Sequence, residues 1–299
     1  MDPHLLRTLV AVVEHRSFSA AARTLGYTQS AVSQHIAALE ADLGARLVER
    51  RPVGPTEAGE RLMEHARPLL LRIDAARADL ARLRAVRPTS LALVCTPAAL
   101  TPALAAALAR VRRAVPGLAA GVRALGPAEV VAAVLTGEAD LGLVDGAAAP
   151  SDPLALPDAG PLATGTVAEQ PLAVLLPAGH PLAARASLRL TDLADAHWID
   201  APDSAVPLAQ LRAAARTDGF RPRLAYGGGD LEGLVRLVAA GHGLLATGLA
   251  VAAGRPGTVA VPVAAPRLVH RTEAVRPRTP AEPARALIEA LADAAGRTA

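Results

Sequence analysis

Residues 17–43, SFSAAARTLGYTQSAVSQHIAALEADL, are the stretch that decides the fold of this 299-residue chain. The pattern predicts two short helices joined by a tight turn, because small polar residues that cap helices alternate with runs of good helix formers. The residues that carry this prediction are Ser17 or Ser19 as the cap of the first helix, Gly26 in the turn and Thr28 as the cap of the second helix.

The second predicted helix has one apolar and one uncharged polar face. A spacing of 4, 3 and 4 residues predicts that Val32, Ile36, Leu39 and Leu43 share a buried stripe. Glutamine can pair with adenine through two hydrogen bonds, and serine can bond to bases or phosphates, so the polar face is suited to a DNA major groove. The polar residues turned outward are Gln29, Ser30, Ser33 and Gln34.

The segment after this helix is typical of a short hairpin. Residues 44–59, GARLVERRPVGPTEAG, are interrupted by glycines and prolines at the place where a winged helix carries its wing. Arg50 and Arg51 are candidates for contact with DNA phosphates or with the minor groove. Solvated surface charge is an equally good interpretation of each arginine.

A long helix is predicted from Thr56 onward, with a break or kink expected at Pro68. Its apolar residues repeat at spacings of 4 and 3, which is about three heptads of a coiled-coil seam. Such a seam favours a second helix as its partner, and packing against the chain's own body is the alternative. The seam residues are Leu62, Ala66, Leu69, Ile73, Ala76, Leu80 and Leu83.

Beyond Pro88 short apolar strands alternate with helices, which predicts two α/β blocks with mostly parallel sheets. Two such blocks joined by more than one crossover would form a clamshell with a cleft at the strand ends. The predicted domains are a DNA-binding domain at 1–58, a linker helix at 59–87 and an α/β domain at 88–299. Within the last domain, the first lobe takes about 88–163 and 265–299, and the second lobe takes about 164–264.

Composition gives weaker information than these patterns. The formal net charge is +3, and residues 1–58 hold six Arg against six Asp plus Glu, so DNA binding by this domain must depend on placed contacts. Cys95 is the only cysteine, which excludes an internal disulfide; a small buried side chain is favoured over a reactive thiol. The absence of a signal-like segment and of a long apolar run predicts a cytoplasmic protein without a membrane partner.

The chain resembles LysR-type transcriptional regulators along essentially its full length. The stretch LRTLVAVVEHRSFSAAARTLGYTQSAVSQHIAALEADLGARLVER, followed by PTEAG, matches the family's winged helix-turn-helix, and PLAVLLPAGHPLA, GFRP and LVRLVAAGHGLLATG resemble its effector domain. The resemblance implies a winged helix-turn-helix, a linker helix and a two-lobed α/β domain similar to type II periplasmic binding proteins. It also implies promoter DNA, a small effector and a second copy of the chain as partners, often as a dimer of dimers, with RNA polymerase as a further candidate. Carried over by position, the DNA contacts are Thr28, Gln29, Ser30, Ser33 and Gln34.

The same resemblance places the effector between the two lobes. Helix N-termini that face the cleft favour a carboxylate, whereas the scarcity of hydroxyls and the lack of arginine in these loops favour a weakly polar effector; both remain open. The effector candidates are Thr96, Pro97, Ala98 and Thr101 in the first loop, with Gly126, Pro127, Asp200, Thr247 and Gly248 at other strand ends.

Two other classes of function compete with a regulator. A solute-binding module of the periplasmic type would need an export signal, and none is visible in the sequence. An enzyme on the two-lobed fold would need a catalytic constellation, and the sequence contains no phosphate loop, nucleophile elbow, HExxH or CxxC motif. No catalytic residue, metal site or cofactor is therefore predicted.

Overall fold

The computed structural model describes residues 1–84, 90–150, 152–156 and 161–296, with side chains except at positions 79, 82–84, 295 and 296. The chain divides into two compact units, Met1–Ala81 and Arg82–Ala299.

The first unit consists of four helices and a two-stranded hairpin. Its elements are α1 (Pro3–His15), α2 (Phe18–Leu25), α3 (Gln29–Leu43), β1 (Val48–Arg50), β2 (Val53–Pro55) and α4 (Glu57–Arg84), whose last residues belong to the second unit.

The predicted helix boundaries around the turn are confirmed. Ser17 Oγ accepts a hydrogen bond from the amide of Ala20 (3.2 Å), and Thr28 Oγ1 accepts one from the amide of Ala31 (3.2 Å). Gly26 ends α2 with φ of +70°, a left-handed conformation that glycine adopts without strain. Helices α2 and α3 therefore begin and end where the sequence predicts.

The apolar stripe of α3 is shorter than predicted. Val32, Ile36 and Leu39 are fully buried in the core of the unit, whereas Leu43 is 40% exposed. Leu43 is the last residue of α3, and Gly44 ends the helix in a left-handed conformation, so the stripe ends outside the core of the unit.

Helix α4 continues through Pro68, so the predicted break is wrong, while the kink stays a prediction. Proline removes one backbone hydrogen bond, and the buried side chains of Ala66 and Leu70 on either side of it hold the helix against the unit's core. Packing therefore outweighs the local cost of the proline.

The second unit contains ten strands and six helices among its described residues. The strands are β3 (Ser90–Cys95), β4 (Ala119–Ala124), β5 (Leu141–Ala148), β6 (Ala163–Pro177), β7 (Leu188–Arg189), β8 (Trp198–Asp200), β9 (Pro222–Ala225), β10 (Leu245–Gly248), β11 (Thr258–Ala265) and β12 (Val269–Arg276). The helices are α5 (Pro102–Ala114), α6 (Pro127–Leu135), α7 (Leu208–Ala215), α8 (Leu231–Ala239), α9 (Leu249–Ala252) and α10 (Glu282–Gly296), and short 3₁₀ turns cover Pro97–Ala99 and Leu190–Leu193.

The sheets are mixed, which corrects the prediction of a mostly parallel arrangement. Strands β4, β3 and β5 are parallel, but β12 runs antiparallel to both β5 and β6. Strands β10 and β11 also run antiparallel to β6. The alternation of strands and helices along the sequence predicts the order of the elements. It does not indicate that β12 returns from the end of the chain to lie between β5 and β6 in the opposite direction.

Strand β6 links the two lobes of this unit. Its residues 163–171 pair with β12, while residues 172–177 pair with β10 and β11. One apolar core lies under α5 and α10 in the first lobe, and another surrounds Trp198 and Phe220 in the second. This arrangement brings loops from both lobes to the region around residues 96–98, 126 and 247–248.

Candidate DNA-binding face and effector site

The outward face of α3 bears polar side chains that the unit itself does not use. Gln29, Ser30 and Gln34 are exposed, and Ser33 is half-buried. Within the described residues, no group of the protein hydrogen-bonds to the side chains of Gln29 or Gln34. A helix with unpartnered glutamines on its outer face can donate and accept hydrogen bonds along the edge of a base pair.

The hydroxyl groups of Thr28 and Ser30 take part in hydrogen bonds at the start of α3. Thr28 Oγ1 caps the amide of Ala31, and it also lies 3.0 Å from the Oγ of Ser30. The hydroxyl of Thr28 thus fixes the first turn of α3, and Ser30 shares its hydrogen-bonding capacity with this cap.

The hairpin of β1 and β2 is fixed to the helices on both sides of it. The carboxylate of Glu40 accepts hydrogen bonds from the amides of Leu47 (2.8 Å) and Val48 (3.3 Å), and Thr56 Oγ1 donates to the carbonyl of Arg46 (2.6 Å). The orientation of the hairpin is therefore set by the C-terminal half of α3 and by the start of α4.

The two predicted wing arginines are both exposed. The Arg50 guanidinium lies 5.8 Å from the ring centroid of Phe18, within the range of a cation–π contact. Among the described residues, no carboxylate forms an ion pair with Arg50 or Arg51, whereas Arg7 pairs with Asp74 and Arg67 pairs with Glu14. The positive charge of the hairpin is consequently available to an anionic partner.

The predicted seam on α4 divides into two parts. Ala66 is fully buried in the core of its own unit, and Leu62 packs against that core, so these two residues contact the unit's own body. The remaining side chains that the structure describes are exposed or half-buried: Leu69, Ile73, Ala76 and Leu80. The side chain of Leu83 lies outside the described part of the chain.

In the first lobe, the hydroxyls predicted for the effector site already have partners. Thr96 is buried, its Oγ1 donates to the carboxylate of Asp145, and it accepts from the Asp145 amide (3.2 Å). Thr101 caps α5 by accepting from the amide of Leu104 (3.3 Å). Pro97 and Ala98 are buried beside Thr96, and Gly126 and Pro127 begin α6.

In the second lobe, one predicted residue is buried without a partner. Thr247 Oγ1 makes no hydrogen bond within the described chain. Asp200 accepts from the amide of Leu208 (3.4 Å). Loops of the two lobes approach each other, since a Cβ atom at Gly126 would lie 2.6 Å from Asp203 Oδ1 and one at Gly229 would lie 3.6 Å from Pro97.

A buried pair of titratable side chains beside Thr96 was not predicted. His270 Nε2 lies 2.7 Å from Asp145 Oδ2, and the two side chains are 0% and 5% exposed. His270 Nδ1 has no partner in the described chain, and a Cβ atom at Gly248 would lie 2.8 Å from it. The two residues stand 125 positions apart, so no local signal joins them.

Cys95 precedes Thr96 and is fully buried. Desolvation, and secondarily the charge of Asp145, raises the pKa of the Cys95 thiol to about 11. The thiol therefore stays protonated at neutral pH, in agreement with the prediction of a small buried side chain.

A surface cavity of about 560 Å³ lies elsewhere on the second lobe. Its lining includes His197, Arg221 and Arg223, and it contains none of the nine residues predicted for the effector site. Two further observations concern the described residues only. None of their helices has the length and apolarity needed to cross a bilayer, and their His, Cys, Asp and Glu side chains form no group of three suited to a metal ion.

Comparison with known proteins adds independent information. Residues 3–60 match the family model described as "Bacterial regulatory helix-turn-helix protein, lysR family", and residues 85–296 match the model described as "LysR substrate binding domain". The chain is 33% identical over 243 residues to the small neutral protease regulatory protein of Streptomyces coelicolor. The aligned region covers 79% of this chain and 70% of that protein.

Two more similarities bear on length and fold. A probable hydrogen peroxide-inducible genes activator of Mycobacterium avium is 34% identical over 192 residues, and the chain spans only 59% of its length. The crystal structure of full-length BenM covers 100% of this chain and 98% of its own, with a TM-score of 0.56 and 23% identity. The similarity to BenM concerns the fold.

Proposed function

The chain belongs to the LysR family of bacterial helix-turn-helix regulators, and we propose that it is a sequence-specific DNA-binding transcriptional regulator whose activity responds to a small molecule bound between the two lobes of its C-terminal unit. The observation that carries the proposal is the exposed, unpartnered polar face of α3 within a capped helix-turn-helix. A periplasmic solute-binding module has no use for such a face.

In this proposal the base-reading residues are Gln29, Ser33 and Gln34, while Thr28 and Ser30 orient the first turn of α3. Arg50 and Arg51 contact phosphates from the hairpin. Their support is exposure together with the absence of a carboxylate partner among the described residues. The DNA-binding segment 1–58 has no net charge. Its affinity for DNA is therefore determined by these individual contacts rather than by long-range electrostatic attraction.

The regulator acts as a homodimer, and dimers of dimers are a further proposed state. The support is the set of seam residues that the unit's own core leaves uncovered. Two copies of α3 would then contact a two-fold symmetric site on the DNA. The residues proposed for the second helix to cover are Leu69, Ile73, Ala76 and Leu80.

The effector lies between the lobes, in contact with the loop at residues 96–98 and with Thr247 and Gly248. The unpartnered Oγ1 of Thr247 supports this position, because a buried hydroxyl without a partner favours a ligand that supplies one. Thr101, Gly126, Pro127 and Asp200 remain proposed parts of the surrounding wall. A carboxylate and a weakly polar molecule both fit this description.

A regulator bound at a promoter acts on transcription through RNA polymerase, so the polymerase is a proposed partner. The proposed location of the regulator is the cytoplasm, where bacterial DNA is found. No enzymatic activity is proposed, since the relatives named above are regulators.

The test is selection from genomic DNA. The full-length chain is mixed with sheared DNA of its own source organism, and bound fragments are sequenced. The proposal predicts enrichment of a short, two-fold symmetric motif and loss of that enrichment in Gln29→Ala. Gln210→Ala, which removes a glutamine from the other unit, is the matched control and should enrich the same motif. Wild-type fragments indistinguishable from the input would overturn the proposal.

A further inference from the structure

Tyr27 is an exposed aromatic side chain in the turn directly before α3. It is 42% exposed, although the backbone on both sides of it is fixed. Its amide donates to the carbonyl of Ala22 (2.9 Å), and the next residue, Thr28, caps α3. The backbone that carries the phenol ring is therefore held in a defined position beside the polar residues of α3.

The ring of Tyr27 is also held from the side. The imidazole of His35 meets it edge to face, with ring centroids 5.2 Å apart and an interplanar angle of 84°. Such edge-to-face pairs are favourable and restrict ring rotation. An exposed tyrosine with both its backbone and its ring fixed loses little conformational entropy when it binds a partner.

His35 is in turn anchored to α1. Its Nδ1 lies 3.1 Å from Thr8 Oγ1, and Thr8 is fully buried. The single hydroxyl hydrogen of Thr8 is donated to the carbonyl of His4 (3.0 Å), so Thr8 Oγ1 acts as the acceptor and His35 Nδ1 carries the hydrogen. A chain of contacts thus runs from the core of the unit through His35 to the ring of Tyr27.

We infer that the Tyr27 hydroxyl donates a hydrogen bond to a phosphate of the DNA backbone, and that His35 is the positioning residue that holds Tyr27 for this contact. The inference rests on the proposed function. A phosphate is favoured over a base because tyrosine hydroxyls are common phosphate donors and because Tyr27 lies outside the helix that enters the groove. A segment without net charge also requires neutral donors in addition to its few free arginines.

The experiment uses two duplexes: the fragment enriched from genomic DNA and a mixed-sequence duplex of the same length. Affinities of the full-length chain are measured by fluorescence anisotropy for wild type, Tyr27→Phe, His35→Ala and the double variant. Tyr27→Phe deletes only the hydroxyl. His15→Ala is the matched control, because it breaks a similar His–Thr contact (3.0 Å to Thr24) without touching Tyr27. Circular dichroism confirms that each variant is folded.

The inference predicts that Tyr27→Phe binds both duplexes about a hundredfold more weakly, because the proposed dimer makes two such contacts and each hydrogen bond to a charged group contributes about tenfold. His35→Ala should lose a similar factor, the double variant should be no weaker than the weaker single variant, and His15→Ala should match wild type. This non-additivity is the signature of a residue that acts through Tyr27.

Three results would overturn the inference: a Tyr27→Phe variant that binds like wild type, a loss confined to the enriched duplex, or fully additive losses in the double variant. Failure of the proposed function is distinguishable, since a wild-type chain that binds neither duplex would remove DNA binding altogether.

Discussion

Removal of one partner from the buried Asp145–His270 pair is predicted to destabilise the C-terminal unit strongly. In Asp145→Ala, His270 Nε2 loses its only partner among the described residues, while its Nδ1 already has none. Thr96 also loses an acceptor, but its hydroxyl can turn to the carbonyl of Leu143 at 3.5 Å. The loss is therefore one buried charge-assisted bond plus one orphaned donor, about 3 kcal/mol of unfolding free energy.

Two variants control for this estimate. Asp145→Asn keeps the shape of the side chain: its oxygen can still accept from His270 Nε2, and its NH2 group can donate to Thr96 Oγ1 once the Thr96 hydroxyl turns to the Leu143 carbonyl, so about 1 kcal/mol or less should be lost. Asp293→Ala breaks an ion pair with Arg110 at 3.0 Å whose side chains are 60% and 41% exposed. Exposed pairs contribute little, so the loss should stay below about 0.5 kcal/mol.

The assay is urea unfolding followed by the fluorescence of Trp198. This residue is the only tryptophan of the chain and is fully buried in the second lobe, so its signal reports the unit that carries the pair. The reasoning would be refuted if Asp145→Ala were no less stable than Asp293→Ala.

Three other predictions concern separate features. Cys95 should not react with Ellman's reagent at pH 8 in the folded chain but should react fully after unfolding, because burial raises its pKa from about 9 to about 11. For the same reason the free energy of unfolding should fall as pH rises from 9 toward 11, since the unfolded thiol ionises first; a pH-independent stability across that range would contradict this. Ile73→Asp should shift the chain from dimer to monomer in analytical ultracentrifugation. His65 is exposed on the same helix outside the seam, so His65→Asp should remain dimeric. A dimeric Ile73→Asp variant would show that the seam is not the dimer interface. Arg50→Gln should lower the magnitude of the slope of log affinity against log salt by about 1.8, because the proposed dimer carries two copies of Arg50 and each phosphate contact contributes about 0.9; an unchanged slope would show that Arg50 contacts no phosphate.

Local patterns were sufficient for the first unit. The caps at Ser17 and Thr28 and the turn at Gly26 depend on neighbours within a few residues, whereas the burial of Val32 and Ile36 also requires the residues of α1 and α4 that complete the core. Helical periodicity and capping chemistry capture such short-range causes directly. Leu43 is exposed although it lies on the same stripe, because periodicity identifies the residues that share a helix face and not the elements that cover that face.

The long helix shows a second limit. A heptad pattern indicates which residues share a stripe, but it does not say what covers each part of the stripe. Ala66 packs in the unit's own core, whereas Leu69 and Leu80 are exposed. Packing against the chain's own body is thus confirmed for the start of the seam, while the pairing of the later residues with a second helix stays a prediction.

The C-terminal unit depends most on contacts that are distant in sequence. The antiparallel return of β12 beside β5 and β6 joins residues about 100 or more positions apart. Asp145 and His270 meet only because of this pairing, so neither could be recognised as a member of the site from its surroundings in the sequence.

The central claim, that α3 reads DNA bases, is tested most directly by one ratio. The affinity of the chain for its enriched duplex, divided by its affinity for a mixed-sequence duplex, is measured at one fixed salt concentration for wild type and Gln29→Ala. The account predicts that Gln29→Ala lowers this ratio by about fivefold or more, because each copy of Gln29 contributes about 1–3 kcal/mol of discrimination, with little change in binding to the mixed-sequence duplex. An unchanged ratio would contradict the claim.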